Sequence, residues 1–250
     1  YFENLLQKLP GVRMVKVLIS LRNAAETKNA ASLPIDYYDF KEPENGSMGS
    51  LNKSDLLEAI KVLGPDKKIS MACGELEKAT SDSWQWDMDV DFFKVGLAGL
   101  ESHKETWVSK ILELRRILQT KKISPVLVPV FYADHKLANS PPVLDGVKKL
   151  LAEGFRLFLV DTWAKSGSGL LDYMSTEMLI DLQNMILNSG AEYGLAGKLN
   201  KDDCIRLMKA NILPNWFGAR GAVCVSGKRE STFDAPLAKE FISSIQLAQR

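Results

Sequence analysis

The sequence predicts a single (β/α)8 barrel, and three observations lead there. Short apolar runs alternate with helical patterns along the whole chain; no glycine-rich nucleotide loop follows the first run; no low-complexity linker or shift in composition divides the chain. Strand and helix signals in strict alternation leave a closed barrel or a doubly wound open sheet. An open sheet usually carries a glycine-rich turn after its first strand. Here Ser20 is followed by Leu21-Arg22-Asn23-Ala24, and neither GxGxxG nor GxxxxGK[ST] occurs. One barrel is therefore expected over residues 1–250, with residues 1–13 as an N-terminal extension in which Leu5, Leu6 and Leu9 suggest a short helix.

The expected strands, in order, are Met14–Ser20, Ile35–Phe40, Ile69–Cys73, Phe92–Leu97, Val126–Phe131, Phe155–Val160, Tyr193–Ala196 and Trp216–Ala219. The last two are the weakest. Most runs are apolar throughout, as parallel strands covered by helices on the outside require. Between them, Leu56, Leu57, Ile60 and Leu63 follow a helical period after a cap at Asn52 or Ser54 and before Gly64-Pro65. Trp107, Ile111, Leu114 and Leu118 line a second helix. Met178, Leu179, Leu182, Met185 and Ile186 line a third, stopped by Gly190. The last helix carries Leu237, Phe241 and Ile245, with Asp234 as cap and Pro236 in its first turn.

Composition excludes several classes of function. Thirty-two basic and 31 acidic residues give a net charge of +1, so no bulk field favours nucleic acid or an anionic membrane. No apolar run approaches the ~18 residues of a membrane span. No signal peptide is recognisable, although the chain starts at Tyr1, and a cytoplasmic location is expected. Cys73, Cys204 and Cys224 are widely spaced and read as buried or incidental thiols. With His103 and His135 the only histidines, no metal site is expected. Self-association into a homo-oligomer is left open.

A barrel places its site at the carboxyl ends of the strands. The second strand ends Asp39-Phe40-Lys41, so strand alternation puts Asp39 and Lys41 on one face. The fourth carries Lys94 inside an otherwise apolar run, and the sixth ends at Asp161, with Lys165 four residues on. Strands two, four and six share parity in a barrel, so three lysines and two aspartates would converge at one mouth. Only an unprotonated amine attacks a carbonyl, and burial beside a second cation favours that form. Asp39 or Asp161 would move protons or hold an ammonium. Each residue also has an ordinary reading. Lys41 begins a loop, Lys94 would have to snorkel to a surface, Lys165 lies in a Ser/Gly loop, and Asp161 would cap a turn. His135 reads as a solvated loop histidine or a base, and the Glu42–Glu44 turn as solvated. After the last two strands, Gly197-Lys198 and Arg220-Gly221-Ala222 suggest phosphate binding by freed backbone N–H groups, with Ser226-Gly227-Lys228-Arg229 just beyond. Glycine turns with surface cations are the plain alternative.

At these residues the chain resembles the (5-formylfuran-3-yl)methyl phosphate synthases of methanofuran biosynthesis. The matching stretches are Asp39-Phe-Lys-Glu-Pro-Glu-Asn-Gly-Ser-Met-Gly49, Phe93-Lys-Val-Gly-Leu97, Tyr132-Ala-Asp134, Asp161-Thr-Trp-Ala-Lys165 and Gly218-Ala-Arg-Gly-Ala-Val-Cys224. They run from the second strand to the eighth, and the first is the most specific. The resemblance implies condensation of two molecules of glyceraldehyde 3-phosphate into a phosphorylated furan, with no metal and no organic cofactor. It implies a Schiff base on Lys41, proton transfer by Lys94, triose-phosphate isomerisation by Asp161 and Lys165, and the strand-two aspartate at Asp39. Residues 1–13, the 225–232 loop and Lys198, where a small residue is more usual, depart from the family pattern. Rival readings are a class I aldolase acting on another sugar phosphate and an inactive barrel that binds phosphometabolites.

Overall fold

The computed structural model describes residues 14–78, 88–101, 106–121, 125–164 and 167–249. The expected helix at Leu5–Leu9, His103 and Lys165 lie outside the described residues. The strands are β1 (Lys16–Leu21), β2 (Tyr37–Phe40), β3 (Ile69–Glu75), β4 (Phe92–Gly96), β5 (Val126–Tyr132), β6 (Leu157–Asp161), β7 (Glu192–Leu195) and β8 (Trp216–Ala219). All neighbours pair parallel in chain order, and β8 returns to β1 through Lys16↔Trp216 to Ile19↔Ala219, closing the barrel. Described helices follow the strands around the outside: α1 (Ala24–Ala30), α2 (Lys53–Leu63), α3 (Trp107–Thr120), α4 (His135–Ala138), α5 (Val143–Ala152), α6 (Leu170–Tyr173), α7 (Thr176–Asn188), α8 (Lys201–Lys209) and α9 (Ala235–Leu247). None is long and apolar enough to cross a membrane.

Strand alternation splits the interior in two. The odd residues of β1, such as Val17, Ile19 and Leu21, join Phe93, Val95, Phe131, Phe158 and the helix faces in one large buried apolar shell. Phe131 is its hub, edge-on to Trp107 and tilted against Phe158. Helix α5 comes so close that a Cβ at Gly146 would stand 2.2 Å from the Phe131 ring. The opposite residues point into the barrel, where Ala72, Val128, Val130 and Leu159 form a smaller cluster around polar groups. Ser20, Asp39, Ser70 and Lys94 are all buried there.

Capping follows the sequence where it was legible. Asn52, not Ser54, caps α2 by accepting from Asp55 N, and Asp234 caps α9 by accepting from Leu237 N, with Pro in the first turn. Some boundaries move. Phe155, expected in the sixth strand, instead closes the end of α5, its N–H donating to Leu150 O at 2.9 Å. The third strand runs on past Cys73 to Glu75 through an irregularity between Ala72 and Glu75.

Candidate active site

The turn after β2 sets the geometry of the mouth. Gly46 sits at φ 117°, open only to glycine at no cost, and a Cβ on Gly49 would lie 2.2 Å from Glu42 O. The fold thus needs both glycines of the Glu42–Gly49 stretch. Of the two glutamates expected to be solvated, Glu44 is exposed and Glu42 is largely covered, and Arg22 ties both, its guanidinium 2.9 Å from each carboxylate. The tied turn holds Lys41 at the end of β2.

Register brings Ser20, Asp39 and Ser70 side by side inside the barrel. Asp39 accepts from Ser20 Oγ at 2.8 Å and Ser70 Oγ at 2.5 Å, and its Oδ2 stands 2.7 Å from Lys94 Nζ. Lys94 therefore does not snorkel: its side chain is 4% exposed and its charge is met inside the barrel. Burial pushes the Asp39 carboxyl up, but the Lys94 and Lys41 ammoniums outweigh it and hold it below the ordinary aspartate value. One layer higher, Lys41 Nζ stands 3.9 Å from Asp161 Oδ2, too far for a hydrogen bond. Burial lowers the Lys41 ammonium to about 8; Asp161 opposes that fall and Lys94 adds to it. Lys41 is thus a buried amine eased toward its neutral form.

Asp161 does not merely cap a turn. Its Oδ1 accepts from Thr162 N at 2.7 Å while Oδ2 faces Lys41. Asp134, at the end of β5, fixes the segment that follows, with its two oxygens accepting from Trp163 N and Ala164 N at 2.8 Å each. Ser47 Oγ donates to Thr162 O at 3.0 Å, bracing the same segment from the β2 turn. Beside it, Tyr132 donates to Glu75 Oε1 at 2.6 Å, and Ala98 N to Glu75 Oε2 at 3.0 Å. Burial raises both Glu75 and Tyr132. None of Asp134, Ser47 or Glu75 was singled out as a site residue; the signal available was that Asp134 and Glu75 are acids at strand ends. His135 opens α4 and is half-buried.

A cavity of about 430 Å³ opens above these groups, reached by Lys41, Lys94 and Asp161 on one side and by the β7 and β8 turns on the other. Gly197 (φ 96°) and Lys198 (φ 57°) turn their backbone sharply at its rim, and Lys198 Nζ donates to Gly167 O at 2.7 Å. Gly221 and Ala222 line the opposite rim. Arg220 is placed differently from the expectation of a free phosphate ligand. All five of its N–H donors have protein acceptors: Nε with Arg229 O, Nη1 with Ser20 O and Glu26, Nη2 with Glu26 and Ser231 O. It is a buried brace between α1, β1 and the 229–231 loop.

The three cysteines are free and buried, and burial raises each thiol, so none is poised as a nucleophile. Among the described residues, no group of three or more His, Cys, Asp or Glu could hold a metal ion.

The fold has many solved neighbours. Phosphoribosyl anthranilate isomerase from Thermotoga maritima superposes with a TM-score of 0.63 at 14% identity, covering 93% of this chain and 99% of that one. The 3-hexulose-6-phosphate synthase of Salmonella typhimurium gives 0.57 at 16%, covering 94% and 100%. At such identities the likeness is one of fold. Sequence relatives say more. The (5-formylfuran-3-yl)methyl phosphate synthase of Methanopyrus kandleri is 28% identical over 223 residues, 86% of this chain and 91% of that protein. That of Methanocaldococcus jannaschii is 27% identical over 90% of this chain and 97% of its own length. Residues 17–242, from the first barrel strand to the last helix, match the model of the 4-HFC-P synthases, and the chain belongs to that family.

Proposed function

We propose that the chain condenses two molecules of glyceraldehyde 3-phosphate into (5-formylfuran-3-yl)methyl phosphate through an imine on Lys41. The observation that carries this reading is the buried Lys41 amine, with a pKa lowered to about 8, at the floor of a cavity rimmed by glycine turns. One triose phosphate is isomerised to dihydroxyacetone phosphate by Asp161 and Lys165. Its carbonyl condenses with the Lys41 amine, releasing water. Loss of a proton from the adjacent carbon, with the iminium as electron sink, gives a carbon nucleophile for the second aldehyde. Lys94 and Asp39, joined at 2.7 Å, move protons during the later steps. Across the sequence one phosphate and two waters leave, and hydrolysis of the imine frees Lys41. Gly197, Lys198, Gly221 and Ala222 hold a phosphate, while Arg220 holds the loop around it.

The test is incubation with glyceraldehyde 3-phosphate, read by near-ultraviolet absorbance of a furan aldehyde and by release of inorganic phosphate. Borohydride added during turnover should fix a triose-derived mass on the peptide containing Lys41. Lys165→Ala should be impaired with glyceraldehyde 3-phosphate alone and partly rescued by adding dihydroxyacetone phosphate; Lys41→Ala should not be rescued. An aldol product without a furan would favour an ordinary class I aldolase. Label landing reproducibly on Lys94 or Lys165 would overturn the role given to Lys41.

A further inference from the structure

Two phosphorylated substrates in one cavity need two places for an anion. The glycine turns after β7 and β8 supply one. Arg220 cannot supply the second, because its donors are spent within the protein. Arg229 stands otherwise. It lines the same cavity as Lys41, and its Nη2 donates to Gly46 O at 2.7 Å and Pro43 O at 3.3 Å, carbonyls of the turn that follows Lys41. Its Nε is buried without a hydrogen-bond partner. Glu230 Oε1 lies 3.7 Å from that nitrogen, an ion pair beyond hydrogen-bond reach. Among the described residues Nη1 has no acceptor either. A buried N–H left unmatched is costly, and an entering anion removes that cost. The carbonyl contacts already fix the guanidinium, so little side-chain freedom is lost on binding. A planar fork with open donors suits a phosphate better than a point charge does.

We infer that Arg229 anchors a second anion subsite, on the Lys41 side of the mouth, which takes the phosphate of the triose joined to Lys41. The inference rests on the two-triose reading above. The subsite is separate from the β7 and β8 turns, since Arg229 reaches across to the β2 turn. It also couples recognition to chemistry, because the turn that Arg229 grips is the one that holds Lys41.

The experiment uses the full chain and two probes. The first is sn-glycerol 3-phosphate, which has the phosphate and carbon skeleton but no carbonyl and so forms no imine. Calorimetric titration should show two molecules bound by the unaltered protein. In Arg229→Gln one of them should weaken about tenfold to a hundredfold, as expected when a charged donor is lost. A single site in the unaltered protein, or an unchanged titration in Arg229→Gln, overturns the inference. The second probe is the ratio of borohydride trapping on Lys41 with glyceraldehyde 3-phosphate to that with unphosphorylated glyceraldehyde. The ratio should fall by the same factor. A parallel loss for both trioses, leaving the ratio unchanged, means that Arg229 only shapes the turn, and this too overturns the inference. If Arg229→Gln does not fold, Arg229→Lys keeps the charge and loses the fork, and the ratio should still drop severalfold. If the unaltered protein traps neither triose, the imine reading fails, while the titration still decides for or against Arg229.

Discussion

At the scale of the residue, the site turns on which amine can lose its proton. Lys41 and Lys94 are both buried, but Lys94 has a carboxylate at 2.7 Å whereas Lys41 has one only at 3.9 Å. Burial is the largest influence on Lys41, lowering its ammonium to about 8 from an ordinary 10.5; Asp161 raises it and Lys94 lowers it further. The amine attacks only when neutral, so imine formation should rise with pH through about 8 and level off above it. The signs for neighbours follow. Asp161→Asn removes the charge that favours the ammonium, so the midpoint should fall. Lys94→Met removes a repelling cation, so it should rise. Borohydride trapping rates between mildly acid and alkaline pH measure all three. A midpoint near the ordinary 10.5, or shifts in one direction for both variants, would remove the electrostatic account. The lysine inside an apolar strand and the Asp39/Lys41 alternation were legible in the sequence. The pairing of Lys94 with Asp39 instead of Lys41 was not, since it depends on how far the barrel staggers neighbouring strands.

At the scale of the element, the loops after β8 show why a charged residue in a glycine turn is hard to assign. Arg220-Gly221 reads as a phosphate contact, yet its guanidinium is enclosed by Glu26 of α1, at 2.6 Å from Nη1 and 3.0 Å from Nη2, and by three carbonyls. Helix α1 is short and has only weak apolar periodicity, so nothing in the sequence brought Glu26 to Arg220. This brace should be structural. Glu26→Gln leaves a buried guanidinium without its carboxylate and should cost about 3–5 kcal/mol, lowering the denaturant midpoint with little change in slope. Glu26 also accepts from Phe233 N and Arg22 N, so amide exchange should quicken around residues 22 and 233 as well as in the 229–231 loop. Unchanged stability in Glu26→Gln would return Arg220 to the role of a free phosphate ligand. The strand boundaries have a similar lesson. Phe155 has the apolarity of a strand residue, but its N–H is taken by the end of α5, a competition that a periodic pattern cannot resolve.

At the scale of the whole molecule, the barrel separates a large apolar shell from a polar layer that lines the proposed site. Alternation along each strand sends apolar residues to the outer shell and leaves Ser20, Asp39, Ser70 and Lys94 inside. The sequence therefore made the barrel legible: its apolar runs supply the outer shell and part of the inner layer, and Lys94, buried in the middle of one of them, marks the polar part of that inner layer. What it left open were the partners across loops, Arg220 with Glu26 and Arg229 with the β2 turn, because those contacts join segments some 200 positions apart, as with the 194 that separate Arg220 from Glu26. The division has a testable consequence. Asp39→Asn strands the Lys94 charge in a layer with no other carboxylate in contact with it among the described residues, and should cost about 3–5 kcal/mol. Lys94→Met should cost less, because Ser20 and Ser70 still donate to Asp39 at 2.8 and 2.5 Å. With both changes, neither the Lys94 cation nor the Asp39 anion is left without its partner, and the methionine fills the lysine's stem. The double variant should then lose far less than the sum of the singles, a coupling of about 2–3 kcal/mol in a double-mutant cycle. It should be folded, with the same denaturant slope as the parent, and inactive in furan formation, since both groups proposed to move protons are gone. Additive losses would mean that the pair contributes to the fold independently at each residue, and furan formation by the double variant would remove Lys94 and Asp39 from the chemistry.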